Sequence, residues 1–171
     1  MEKLWAPWRM ELIEQPQAQG GCIFCDLPKS KDDAKNLVLG RTWRTFAMLN
    51  KFPYNNGHLM VIPRTHASDV HALPEDEYTE LCAMLRIALR IVGRAYNAQG
   101  ANLGMNIGRV AGAGIADHLH WHIVPRWAGD TNFMPVLADT KVMIEHLDGS
   151  YRKLRPLFDA EYRQGEPVAS W

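Results

Sequence analysis

No stretch of this chain approaches the roughly 20 consecutive apolar residues that a membrane-spanning helix needs. Charge of either sign is not in excess, since 19 basic residues balance 19 acidic ones. That argues against the broad basic surface with which proteins grip a nucleic-acid backbone. A small nucleotide site remains open, because it needs only local donors. Cysteine is scarce: the three present cannot build the disulfide framework of a small secreted domain. Internal repeats and low-complexity segments are missing. The opening Met1-Glu2-Lys3-Leu4-Trp5-Ala6-Pro7 has no apolar signal core. These absences predict a cytoplasmic protein with neither nucleic acid nor membrane among its partners. What is there, 171 residues of which 47% are apolar, suffices for one well-cored domain with a terminal extension.

The most informative stretch is Asp117-His118-Leu119-His120-Trp121-His122-Ile123-Val124-Pro125. It alternates strictly, the pattern of a half-buried strand. Side chains two apart share a face and lie roughly 6.5–7 Å from each other along it. The expectation is a row of three imidazoles, with Leu119, Trp121 and Ile123 packed beneath and Pro125 closing the run. A lone histidine on a strand is usually an ordinary surface or core residue. Three in register point to a site, because neutral imidazole is a nucleophile, a proton shuttle and a metal ligand near pH 7.

Cys22-Ile23-Phe24-Cys25 offers two thiolates at a spacing that lets both reach one metal ion. No second such pair exists; His58, His66, His71, His118 and His146 are the candidate partners. Cys82 falls in a helical pattern and reads as an apolar filler. Residues 1–21, with Trp5, Pro7 and Trp8 as anchors, read as an arm. Segments at 36–40 and 43–49, split by Gly40-Arg41, read as a hairpin. A turn-rich loop, Asn50-Lys51-Phe52-Pro53-Tyr54-Asn55-Asn56-Gly57, leads to a strand over 58–63. Pro74 and Glu75-Asp76-Glu77 mark a helix start, and Leu81, Leu85, Ala88, Val92 and Ala95 recur at helical spacing. The spacing predicts a helix over roughly 74–98, stopped by Gly100. A strand is expected over 102–107. The glycine-bearing loop Gly108–Gly114 follows, with backbone that can approach a phosphate closely. A last helix is expected over about 139–158, interrupted near Gly149.

The run His118–Val124 resembles the H-φ-H-φ-H-φ-φ signature of the histidine triad (HIT) superfamily. Cys22–Cys25, Gly57–His66 and Pro125-Arg126 match in the family's order, so the resemblance spans about residues 22–127. It implies an α+β fold: an antiparallel sheet of about five strands with one long helix and a C-terminal helix, pairing into a homodimer or higher homo-oligomer. Residues 22–137 would form the HIT domain, 1–21 an N-terminal arm and 138–171 a C-terminal helical extension. Within the superfamily the chain is most similar to the bacterial diadenosine tetraphosphate phosphorylase branch. The carrying residues are Leu4–Arg9, the Asn50–Asn55 loop and Arg126–Phe133. The loop also resembles galactose-1-phosphate uridylyltransferases, whose triad differs.

The resemblance makes His120 the nucleophile that forms a covalent nucleotidyl-imidazole and His122 the donor that stabilises the phosphate or the bridging oxygen. Ile23 and Phe24 match positions that wall the base, and Asn50 one that binds ribose hydroxyls. Asn106 and Gly114 match the phosphate region, and Trp127 a site residue of the phosphorylase branch. Gly112–Ala116 lacks the hydroxyl that the wider family places before its triad, so that task passes to backbone amides or to another residue. The resemblance also implies a structural zinc ion held by Cys22, Cys25, His66 and His118, with His58 supporting a site residue and His71 and His146 at the surface. Three functions follow as expectations. The first is phosphorolysis of diadenosine tetraphosphate. The second is hydrolysis of nucleoside monophosphate derivatives, such as phosphoramidates, or of dinucleoside polyphosphates. The third is a zinc-stabilised nucleotide-binding module without useful catalysis.

Overall fold

The structure, a computed structural model, describes residues 21–130 and 142–161. The expected N-terminal arm, the end of the Arg126–Phe133 turn, the first residues of the expected last helix and the polar tail lie outside the described residues. In chain order the elements are α1 (Ile23–Asp26), β1 (Val38–Arg41), β2 (Thr45–Leu49), β3 (Leu59–Pro63), α2 (Glu75–Tyr96), β4 (Gly100–Gly104), β5 (Trp121–Arg126) and α3 (Leu147–Glu161). Single 3-10 turns follow α1 and precede α2 and β5. The five strands form one sheet in the order β1-β2-β3-β5-β4, and every neighbouring pair is antiparallel. This is the expected α+β architecture.

Period-two alternation gives the sheet two different faces. Leu39, Ala47, Leu49, Leu59, Val61 and Ile123 point to one side, where Leu81, Met84, Ala88 and Val92 of α2 and Leu154 and Phe158 of α3 cover them. Val38, Phe46, Met48, Met60 and Ile62 point to the other, against Phe24 of α1. His122 lies opposite Met60 in the ladder and so shares this second face. The first face holds the larger core; the second holds a smaller core and His122.

Several boundaries differ from expectation, each for a local reason. Gly40 is not a turn residue: it lies in β1, where a Cβ would come within 2.9 Å of Phe158 Cδ1, so it admits α3 to the sheet. The hairpin turns instead at Thr42, whose amide and hydroxyl both donate to the Thr45 carbonyl. Helix α2 stops at Asn97, which adopts the left-handed conformation at φ 47°, a conformation asparagine tolerates. Gly100 is therefore free to begin β4, two residues ahead of the expected strand. Pro125 does not end the histidine strand but lies inside β5. The β3 pairing stops at Ile123, so no ladder partner on that side demands an N–H from residue 125. The last helix starts at Leu147, with Gly149 inside it and Tyr96, Ser150 and Lys153 gathered on Glu145 just before it.

Candidate functional site

The three histidines do not form one row. The ladder of β5 begins only at Trp121, and residues 118–120 run in ahead of it. His118 is fully buried, its ring 5.2 Å from that of His66. Its Nε2–H donates to the Pro63 carbonyl at 2.9 Å, leaving Nδ1 as a lone pair. That lone pair faces Cys22 Sγ at 3.3 Å and Cys25 Sγ at 3.5 Å, and Cys25 Sγ lies 3.3 Å from His66 Nδ1. The four donor atoms sit within 4.8 Å of one another. The helical turn of α1, with the Cys25 and Asp26 amides on the Cys22 carbonyl, brings both sulfurs to one side. Burial, and then the neighbouring Cys22, push the Cys25 thiol up from its ordinary value, and burial pushes His118 down. A cation among two sulfurs and two imidazole nitrogens reverses the first effect and profits from the second. The donor set is that of a closed tetrahedral zinc site.

His66 is delivered by a loop that a buried acid holds. Glu77, in the first turn of α2 and 2% exposed, accepts from the Thr65 amide at 2.9 Å and the Thr65 hydroxyl at 2.6 Å. The acidic cluster that marks the helix start therefore has a second task at this position.

Phe24 packs against both His118 and His120. Its ring, 2% exposed, lies 5.5 Å from His118 and 5.1 Å from His120. His120 is 6% exposed and donates from Nδ1 to the His118 carbonyl at 2.9 Å. Its Nε2 therefore carries the lone pair. Burial lowers its pKa, the carbonyl hydrogen bond opposing, so the ring stays neutral around pH 7.

His122 stands 4.9 Å from His120, ring to ring, and 5.1 Å from His58. His58 is 1% exposed and nearly sandwiched, with Tyr54 4.8 Å away on one side. The Tyr54 amide donates to His58 Nδ1 at 2.9 Å, so the His58 proton must be on Nε2. From there it donates to His122 Nδ1 at 3.0 Å. His122 then carries its own proton on Nε2. The Asn50 carboxamide nitrogen Nδ2 lies farther from His58 Nε2, at 3.4 Å, while Asn50 Oδ1 accepts from the Phe52 amide at 2.9 Å. The two shorter contacts fix the tautomers.

The other expected residues are spread more widely. Ile23 is half exposed on α1 beside Phe24, and Ile115 packs against the Phe24 cluster. Asn106 donates from its carboxamide to the Gly112 carbonyl at 3.2 Å, bracing the glycine-bearing loop in which Gly114 is exposed. Trp127 lies past the far end of β5, its indole N–H on the Tyr96 carbonyl at 3.1 Å. His71 and His146 are exposed. Cys82 is only half buried, and Tyr78 lies against it. Sequence reasoning gave Tyr54 and Asp130 no role. The signal for His58 was present: it stands two before Met60 and shares that residue's face.

Comparison with known proteins gives three kinds of match. The family model described as HIT domain matches residues 31–129. A Mycobacterium tuberculosis protein named AP-4-A phosphorylase is 37% identical over 162 residues, covering 90% of this chain and 83% of its own. A Schizosaccharomyces pombe protein named adenosine 5'-monophosphoramidase is 34% identical over 105 residues, 61% of this chain and 74% of its own. Among solved structures, a hypothetical histidine triad nucleotide-binding protein from Sulfolobus tokodaii superposes with TM-score 0.65 at 27% identity. That match covers 81% of this chain and 93% of the other. A zinc-bound histidine triad family protein from Mycobacterium smegmatis shares the fold, with TM-score 0.63 at 23% identity, over 82% and 94% of the two chains.

Proposed function

This chain belongs to the HIT family, and from that membership we propose that it is a nucleotide-processing enzyme that transfers a nucleotidyl group through His120. The observation that carries the reading is the pair of complementary tautomers: a neutral His120 with its lone pair on Nε2, beside a His122 with its proton on Nε2. One ring attacks while the other donates. In the first step His120 Nε2 bonds to the α-phosphorus of a nucleotide and the bond from phosphorus to the bridging oxygen breaks, its electron pair leaving with the departing phosphate chain. His122 Nε2–H donates to the oxygen on which negative charge grows. In the second step an acceptor oxygen bonds to phosphorus and the nitrogen–phosphorus bond breaks, returning His120 to its neutral form.

The preferred substrate is diadenosine tetraphosphate and the preferred acceptor inorganic phosphate, which gives ADP in the second step after ATP leaves in the first. Similarity along 90% of the chain to the M. tuberculosis protein supports this choice. The second reading, hydrolysis of nucleoside monophosphate derivatives, rests on the similarity to the S. pombe protein, since nothing in the histidine pair distinguishes water from phosphate. Product analysis with and without phosphate separates them. ADP and ATP formed only with phosphate support phosphorolysis; AMP formed at an unchanged rate without it supports the hydrolase. His120→Ala should retain nucleotide binding and lose turnover about 10⁴-fold or more. Equal turnover in that variant removes the covalent mechanism.

Zinc fits the four donors Cys22, Cys25, His66 and His118, which leave no ligand position open, so its contribution is structural. Around it, Ile23 and Phe24 wall the base, Asn50 meets the ribose, and Asn106 with the Gly114 backbone borders the phosphates. Trp127, beyond β5, serves the same substrate from farther away. A homodimer would form through β4, one of the two edge strands, within and after which Leu103, Ile107 and Val110 stand exposed. Among the described residues no helix is long and apolar enough to cross a membrane, and the cytoplasm is the proposed location.

A further inference from the structure

The Asn50–Asn55 loop and the turn after β5 carry the chain's resemblance within its superfamily, yet the histidine chemistry gives their outer residues no task. In the structure they bind each other. The Asn55 carboxamide donates to the Pro125 carbonyl at 3.2 Å and to Asp130 Oδ2 at 3.0 Å. Both of its N–H bonds are used, so the amide has one orientation. The Pro125 carbonyl is available because β3 has stopped covering β5 there. Asp130 is itself fixed. Arg126 grips both carboxylate oxygens, Nε on Oδ2 at 2.5 Å and Nη2 on Oδ1 at 2.9 Å, while its Nη1 holds Asn102 on β4 at 2.9 Å. The Trp127 amide adds a contact at 3.3 Å, and the Asp130 side chain is only 7% exposed. The Arg126 hydrogen bonds hold its carboxyl down to about 2, so it stays an acceptor at any working pH.

The far end of the loop also meets other elements, with Asn56 Oδ1 accepting from the Glu145 amide at 3.4 Å and Gly57 against the Tyr96 ring; its remaining bonds are internal. The Asn50 amide donates to the His58 carbonyl at 3.0 Å, and the His58 amide to the Asn55 carbonyl at 3.1 Å. Those bonds set its shape but not its position against β5. Tyr54, which precedes Asn55, aims its N–H at His58 Nδ1. We propose that Asn55 and Asp130 are positioning residues: their hydrogen bond anchors the loop so that the Tyr54 N–H meets His58 Nδ1, and thereby places the His122 proton on Nε2. When the anchor is lost, the Tyr54 N–H moves off. His58 can then take its proton on Nδ1 and turn a bare Nε2 toward His122. His122 answers by protonating Nδ1, and its Nε2 meets the phosphate as a lone pair instead of a donor. Two protons change places while the rings stay where they were.

The experiment reads those protons. Asn55→Leu, Asp130→Leu and the double variant are compared with the natural chain by ¹⁵N spectra of the imidazole nitrogens and by steady-state kinetics with diadenosine tetraphosphate. Each variant should lose about tenfold or more in kcat, with KM changed less than about twofold. The His122 Nε2 signal should shift from the protonated toward the bare position. The double variant should be no worse than the poorer single one. Asp130→Asn, which keeps an oxygen to accept from Asn55, should recover most of the activity. If Asn55→Leu fails to fold, Asn55→Ser, too short to reach Asp130, is read in the same way. Unchanged ring-nitrogen signals in folded variants, or a loss confined to KM, overturn the proposal. The inference rests on His122 as the donor of the proposed reaction. The spectra need no substrate, so they decide it even where water, and not phosphate, proves to be the acceptor.

Discussion

The two ends of the histidine run are held by different means. At one end His118 sits among three more donor atoms, fully buried, its Nε2 on a carbonyl and its Nδ1 on sulfur. At the other end His122 is half buried and takes its tautomer from a relay of hydrogen bonds that starts at a loop amide. Residue type and spacing are the same; the partner of the second ring nitrogen differs, and that partner decides what each imidazole can do. His120, between them, depends on the first end, since its Nδ1–H rests on the His118 carbonyl. A cation-binding cluster fixes position strongly and proton placement as a consequence. A relay fixes proton placement at little cost in stability. Variants should therefore separate the two ends by which quantity they move.

The largest effect is expected at the cluster. Cys25→Ser, or treatment with a chelator, would take away the proposed zinc ion, which would join α1, the His66 loop and the entry to β5. A melting temperature lower by about 10 °C is expected, equivalent to a few kcal/mol in a chain of this size. Calorimetry on metal-loaded and stripped protein checks this. A chelated sample that melts at the same temperature would show that the four residues are held together by packing alone. The Tyr54–His58–His122 hydrogen bonds should survive the treatment, and their ring-nitrogen signals with them.

The relay answers with rate. His58→Phe keeps a ring of similar breadth but ends the donation to His122, so the proton proposed to stabilise charge would no longer be directed at the substrate. A fall in kcat of about 10²-fold is expected, which is about 2.7 kcal/mol of barrier, with a melting temperature only a few degrees lower. Single-turnover kinetics provide the check. A variant that loses melting temperature and keeps its rate would reverse the distinction between the two ends.

The difference also explains what could be read from the sequence. Strand alternation, the acidic start of α2 and the pairing of a CxxC with a histidine strand are local patterns. They point to strands, the long helix and a cysteine pair in need of histidines; the five-stranded sheet and the choice of His66 and His118 follow from the family resemblance, since spacing alone leaves five histidines open. The placement of Phe24 between His118 and His120 was not legible, because period two says which face a residue is on and nothing about the turn of its ring. Pro125 misled because its meaning depends on where a neighbouring strand ends. Asn97 was passed over for Gly100 because both can close a helix and only the packing beyond chooses. The bond from Asn55 to Asp130 joins residues 75 positions apart, and no periodicity reports it.

The smallest effect sharpens the comparison most. Gly57 immediately precedes His58 and has φ +72°, a conformation that costs an L-residue roughly 1–2 kcal/mol. A Cβ there would stand 2.6 Å from Tyr96 Cε2. The ring cannot simply withdraw, since its hydroxyl is on Glu145 at 2.8 Å and Lys153 lies over its face at 4.4 Å. Gly57→Ala must therefore combine backbone strain with a push on the loop, for a total of about 2 kcal/mol and about 5 °C in melting temperature. Gly108→Ala supplies the control. Its φ is +80° but nothing lies within 4 Å of the added Cβ, so it carries the strain without the push. The difference between the two variants isolates displacement of the loop, and it should appear as a several-fold lower kcat in Gly57→Ala with an undiminished affinity for zinc. Equal kcat in the two variants would mean that the loop's position against α2 does not reach His58, and the relay would then depend on its anchor at β5 alone.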